Sequence, residues 1–412
     1  MKLQNDFEQL FAMKKITAFV WIMMLSLSGY SQQTVDYLLK ARALTEEGKP
    51  DLAIAQLNKA ISESKDSRLF VERADANVVK GDYSGAISDY NEANKLTPSS
   101  GEYGLSRIYA LKGDASTALY HLELNLRSGY RRGEKDIMLD PAFGAIENKP
   151  EWRQFWKKAW YSEIEEGISE IEFYVSAGKI DEAKAVLSGL KNSYEDNDDI
   201  LYAEGLIDLS LGKPAEAVKI ISGLTTRYPE NEKYLRLLAK AQTTVSNPAG
   251  ASVTYSQLIN SGVADAGLLI LRAECYRKTG ENEKALEDIN KYLDYYPDNK
   301  EALSLAGKAE AASGDNIKAM ELFTKNLKLH PNDADCYVDR ANSYFVSKSW
   351  DWAIKDYGMS LDLKPGNSDA WLNKGISLLN SGKTEDACHD FRRSLALGNK
   401  RASEYISRNC IK

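Results

Sequence analysis

Histidine and cysteine are scarce, with three and four among 412 residues. His121, His330 and His389 lie far apart in the chain, and only His389 has potential ligands beside it, Cys388 and Asp390. Adjacent residues of a helix do not face one another, so these three do not form a metal site, and no metal or cofactor is expected. No CxxC pair occurs, nor a GxSxG, an HExxH or a glycine-rich phosphate loop, and with them go the common signatures of hydrolases, zinc enzymes and nucleotide-binding enzymes. A basic excess is missing too: 53 Lys and Arg stand against 60 Asp and Glu, for a formal net charge of −7. A nucleic-acid surface needs cations to neutralise phosphates, so that partner class is not expected. These absences leave no recognisable catalytic signature, and no enzymatic activity is expected.

Long apolar runs are equally rare. ITAFVWIMMLSL, Ile16–Leu27, follows Lys14-Lys15 and precedes the small residues Ser28-Gly29, then Tyr30-Ser31-Gln32. A basic start, a short apolar stretch and small residues predict a secretory signal peptide over 1–31, with Met13 as the functional start and cleavage after Ser31. Twelve residues span about 18 Å as helix, short of the roughly 30 Å of a bilayer core, so no stable membrane insertion is expected. The expected location is exported: periplasmic, extracellular or envelope-associated. Removal of 1–31 takes away Lys2, Lys14, Lys15, Asp6 and Glu8, so the charge becomes −7 − 1 = −8.

What the chain has in abundance is self-similarity. Small residues at the start of successive second helices fall at Ala53, Ala86, Ala118, Ala183, Ala217, Ala251, Ala285, Ala319, Ala353 and Ala387, and from Ala183 onward every step has the same length. A second small series falls at Ala41, Ala74, Ser106, Gly205, Ala239, Ala273, Gly307, Ala341 and Gly375, with Ile171 the exception in its unit. Bulky residues recur at Leu57, Tyr90, Leu122, Leu187, Ile221, Tyr255, Ile289, Phe323, Tyr357 and Phe391, and prolines close units at Pro98, Pro229, Pro297, Pro331 and Pro365. Each unit reads as two amphipathic helices, crossing at small residues and stopped by proline.

Small residues at positions 8 and 20, a large one at 24 and proline at 32 resemble the tetratricopeptide repeat (TPR) family. The resemblance covers ten units, starting near Thr34, Ser67, Ser99, Ile164, Asp198, Glu232, Ala266, Lys300, Ala334 and Ser368. It implies an all-α, right-handed α-α superhelical solenoid that acts as a scaffold or adaptor. The predicted organisation is an N-terminal block (34–130), an irregular Trp-rich element (131–160), a C-terminal block (161–399) and a capping helix (400–412). In the irregular element Trp152, Trp156 and Trp160 recur every four residues, one face of a helix, and are expected to pack as a hydrophobic seam rather than bind a ligand.

Two constellations stand out within the array. Positions 7 and 23 vary together: Arg73 with Asp89, Arg272 with Asp288, Arg340 with Asp356 and Lys374 with Asp390, always 16 apart. They predict structural ion pairs that tie the two helices of a repeat. Cys388 and Cys410 stand at equal distances on either side of Asn399, at the turn before a final helix. Antiparallel helices pair residues equidistant from their turn, so a disulfide between these two is expected to staple the cap, contributing roughly 3 kcal/mol. Cys275 and Cys336 are expected free and buried.

The resemblance also implies a binding surface. First helices of TPR arrays line the concave side, with positions 2, 5, 6, 9, 12 and 13 turned inward. Here that face includes Tyr103, Arg107, Tyr202, Arg236, Lys240, Arg277, Lys308, Asp339, Asn342 and Asn373. Arg236, Lys240, Arg277 and Lys308 form a basic series suited to an acidic or extended peptide segment of a protein partner. The carboxylate clamp that some family members use for chaperone C-termini is not expected, because no repeat has lysine at position 5.

Overall fold

The computed structural model describes residues 33–194 and 197–410, and the expected signal peptide lies outside the described residues. The described residues are helical with no strand, and no helix among them is long and apolar enough to cross a membrane. They fall into two compact units, one ending at Ala266 and one beginning at Gly267.

The first unit holds six helix pairs. They are 33–46 with Pro50–Glu63, Ser67–Lys80 with Tyr83–Leu96, Glu102–Leu111 with Ala115–Leu126, Glu163–Ser176 with Ile180–Ser193, Asp198–Ser210 with Pro214–Arg227, and Glu232–Thr244 with Pro248–Asn260. The second unit holds four pairs and a cap. They are Gly267–Thr279 with Asn282–Leu293, Lys300–Ala312 with Asn316–Leu329, Ala334–Val346 with Trp350–Leu363, Ser368–Asn380 with Thr384–Ala396, and then Ala402–Asn409.

Local chemistry sets these boundaries. Asp66, Asn197, Asn231, Asn299, Asp333 and Asn367 each accept a backbone N–H as N-cap of a first helix. Such caps satisfy donors that the helix itself cannot. First helices end at position 15, where the backbone turns left-handed: Gly81 has φ 85°, and seven more repeats place glycine there. Ser246 (φ 59°) and Lys348 (φ 58°) hold the same conformation with a side chain, which is strained for an L-residue.

The small and large series meet in the core. All ten alanines at position 20 are fully buried, and the bulky residues at position 24 are at most 8% exposed. A Cβ added to Gly205 would sit 2.6 Å from Ile221, and one on Gly375 2.6 Å from Phe391. Position 8 is therefore small because the position 24 side chain of the same repeat lies against it. Within each unit the first helices of successive repeats also touch one another, and successive second helices do not to the same extent. That puts the first helices on the inner side of the curve.

The irregular element departs from its expected form. Its last helix, Pro150–Phe155, stops before Trp156, so the three tryptophans do not share one helical face. Trp152 is buried against Phe143 and Trp156, and Trp160 stacks on Phe155 at 4.6 Å. They join Leu119, Leu122 and Leu126 of the third repeat in one apolar cluster.

Candidate functional site

Position 9 of one repeat and position 6 of the next are neighbours on the inner face. In the first unit Arg42 and Glu72 hold these places, with Nη2 2.7 Å from Oε2. In the second unit Lys308 and Asp339 hold them, with Nζ 2.8 Å from Oδ1. Sequence reasoning missed both pairs. The usable signal is a base at position 9 followed by an acid at position 6 of the next repeat.

The first unit closes its inner face with its own groups. The hydroxyl of Tyr90 passes beneath Gly104 to donate to Asp75, and the surrounding burial pushes the Asp75 carboxyl up to about 6. Tyr103 donates to Asp140 at 2.8 Å, and Arg107 Nε lies 2.8 Å from the same oxygen. Asp140 belongs to the irregular element, whose short 3-10 turn it caps through Ala142. Tyr103 and Arg107 thus face an internal partner.

The remaining inner-face residues of this unit are of two kinds. Tyr202 is 7% exposed, beneath Lys233 Nζ at 4.1 Å and beside Tyr234. Burial raises its phenol above the ordinary range, and it acts as a packing residue. Arg236 binds Glu232 at 2.7 Å and Asp265 at 2.9 Å, whereas Lys240 is exposed.

The second unit differs. Asn342 and Asn373 occupy the same 9-to-6 relation as Lys308 and Asp339, one repeat further on. The Tyr357 hydroxyl donates to Asn342 Oδ1 at 2.6 Å and also meets the Asn373 side chain. Asn342 is exposed, so its amide N–H groups face outward from a fixed orientation. Beside them runs a cleft of about 340 Å³ lined by Ser304, Lys308, Cys336, Val338 and Asp339. Ser304 donates to Asp339, which is 9% exposed. Arg277, on the first repeat of this unit, keeps a buried Nε without a hydrogen-bond acceptor among the described residues. The four-residue basic series therefore divides: Arg236 and Lys308 carry carboxylate partners, and Arg236 and Lys240 belong to a different unit from Arg277 and Lys308.

The structural constellations come together as follows. Arg73 meets Asp89 at 2.5 Å, Arg272 meets Asp288 at 2.6 Å, Arg340 meets Asp356 at 2.7 Å and Lys374 meets Asp390 at 3.1 Å. All four carboxylates are buried, and each arginine uses two nitrogens. Cys388 and Cys410 are joined in a disulfide with Cα atoms 5.6 Å apart, while Cys275 and Cys336 are buried thiols. Burial pushes the Cys336 thiol up to about 11.

Comparison with known proteins agrees with this construction. The tetratricopeptide repeat family model matches residues 38–101 and 270–334, one stretch in each unit. None of the curated proteins matches the chain in sequence. Among solved structures, a tetratricopeptide repeat protein from Parabacteroides merdae superposes with a TM-score of 0.51 at 20% identity. That match covers 60% of this chain and 99% of the other. The Cut9–Hcn1 hetero-tetramer of APC/C gives 0.44 at 13% identity over 92% and 98% of the two chains. YrrB, described as a TPR protein with an unusual peptide-binding site, gives 0.35 at 14% identity over 46% and 97%. With family matches in both units and the same helix-pair construction in all ten repeats, the chain is a tetratricopeptide repeat protein.

Proposed function

We propose that the chain is a noncatalytic, exported scaffold or adaptor that binds an extended segment of a partner protein along the inner face of its second unit. The observation that carries this reading is Asn342 beside Asn373. Two side-chain amides, oriented from beneath by Tyr357, that of Asn342 exposed and that of Asn373 half-buried, suit the donors and acceptors of an extended main chain. The cleft beside the paired Lys308 and Asp339 would take a small polar side chain of that segment. Rigid stacked repeats offer the groove preformed, which lowers the ordering cost of binding. Export is supported by the apolar stretch Ile16–Leu27 behind two lysines and by the Cys388–Cys410 disulfide.

Selection of peptides from a displayed random library against the whole chain tests the reading. Selected peptides should lose at least tenfold in affinity when Asn342 or Asn373 is changed to alanine. Peptides indifferent to both changes would remove the basis for this groove. A second reading, a permanent subunit of an envelope secretion or polysaccharide assembly, is favoured by apolar side chains of the second helices: Ile317 and Trp352 are 76 and 57% exposed.

A further inference from the structure

The inner face of the first two repeats already holds a piece of polypeptide, and that piece is the chain's own. The turn after the sixth repeat, 261–265, reaches the first repeat from 222 residues away. Arg42 Nη1 donates to the Ala264 carbonyl at 2.8 Å, and Arg68 Nη1 donates to the Gly262 carbonyl at 3.2 Å. The Ala264 methyl packs into the apolar cluster of Leu38, Ala41 and Leu69.

Both arginines are built alike. Arg42 turns its Nε and Nη2 edge to Glu72, at 3.4 and 2.7 Å, and Arg68 turns the same edge to Asp66, at 3.1 and 2.7 Å. Asp66 is itself fixed as the N-cap of Ser67–Lys80, and Glu72 is 8% exposed. Each guanidinium is thus held by a carboxylate on its own repeats, and Nη1 would stay aimed inward if the turn left. What Arg42 and Arg68 recognise is two main-chain carbonyls on alternate residues, with a slot between them that a methyl group fills. Nothing in these contacts depends on the turn's side chains beyond their small size.

We propose that Arg42 and Arg68 form a second polypeptide-binding site, for a turn-forming segment of another protein rich in glycine and alanine, and that the turn 262–264, with Gly262 left-handed, fills it in cis. Arg236 holds the turn from behind through Asp265, so it acts as the latch. A tethered occupant has a high effective concentration and excludes a free one of equal contacts. The site is in the first unit, so it stands or falls separately from the groove of Asn342 and Asn373.

The test uses the full chain and a fluorescent peptide of residues 258–268, LINSGVADAGL. Ala264→Lys places a cation in the methyl slot between two arginines and should lift the turn. Binding of the peptide should then strengthen at least tenfold over the unaltered chain, and addition of Arg42→Gln and Arg68→Gln should abolish that gain. Cleavage by a protease at 262–264 should accelerate in parallel. Arg236→Gln, which loosens the turn without touching the slot, should give a smaller gain of the same sign, and it serves if the lysine variant does not fold. Peptide binding that is unchanged by opening the turn, or that persists without Arg42 and Arg68, would overturn the proposal.

Discussion

The pair Arg340–Asp356 gives the sharpest energetic prediction. Asp356 is 2% exposed and receives two hydrogen bonds, from Nε at 2.7 Å and Nη2 at 2.9 Å, both from Arg340. A carboxylate so placed has exchanged water for one guanidinium. Arg340→Met keeps the apolar stem but strands the charge, and breaking a buried pair in this way costs about 3–5 kcal/mol. The Arg340 side chain is 21% exposed, so water can partly replace it, and a loss of about 3 kcal/mol is expected. The double change Arg340→Met with Asp356→Leu removes both charges and should cost no more than about 1 kcal/mol, since a buried pair often breaks even against apolar residues. A repeat array need not unfold in one step, so the measurement is native-state hydrogen exchange of amides in Ala334–Val346 and Trp350–Leu363. With the single Asp356→Leu completing the cycle, the coupling energy should be at least about 2 kcal/mol. A coupling under about 0.5 kcal/mol, the value of an exposed pair, would refute the claim that burial gives these pairs their effect.

Other changes follow from the same structure. Asp75 holds its proton up to about pH 6 against 3.8 ordinarily, so its favourable contribution is complete below about pH 4 and is lost as pH rises through 6. That rise corresponds to roughly 3 kcal/mol, which partial solvent access reduces to about 1–2 kcal/mol. Asp75→Asn should therefore stabilise the chain by that amount at pH 7.5 and hardly at all at pH 4, read as the difference between urea midpoints of variant and parent at each pH. Lys348→Gly relieves a left-handed φ of 58° and should raise the local opening free energy of its repeat by about 0.5–1 kcal/mol in hydrogen exchange. Reduction of Cys388–Cys410 should release Ala402–Asn409 and lower protection there by up to about 3 kcal/mol, leaving the first unit unchanged. Cys336, with its thiol near 11 and buried, should resist iodoacetamide at pH 8 in the native state and react on unfolding, as mass spectrometry would show.

Much of this architecture is legible in the sequence because steric rules repeat. Alanine at position 20 and a bulky residue at 24 mark one crossing ten times over, and the structure buries every one of them. The spacing of Arg340 and Asp356 is similarly local, since both lie in one repeat. Position 15 is equally regular, yet only the left-handed backbone at Gly81 and its counterparts shows what the glycine is for. The inner face is less legible. Position numbers predict Lys308 and Arg236 there, but whether a charge is free depends on its neighbour in the next repeat or beyond. Asp339 neutralises Lys308 from the following repeat, and Asp265 holds Arg236 from a turn with no periodic signal. The docking of Ala264 on Arg42 spans 222 residues and follows from how the first unit curves, which no local pattern encodes. The tryptophan spacing misleads for a related reason: Pro150–Phe155 ends too early for a period of four to continue.

The central claim is that the inner face of the second unit, and not its outer side, receives a partner. A photo-reactive amino acid placed at Val346, a 74% exposed inner-face position one turn beyond Asn342, and separately at Ile317 on a second helix, tests it most directly in cells expressing the chain. The account predicts one discrete cross-linked polypeptide from position 346, lost when Asn373 is changed to alanine, and none of comparable yield from 317. Cross-linking from 317 alone, or equally from both positions and indifferent to Asn373, would contradict it.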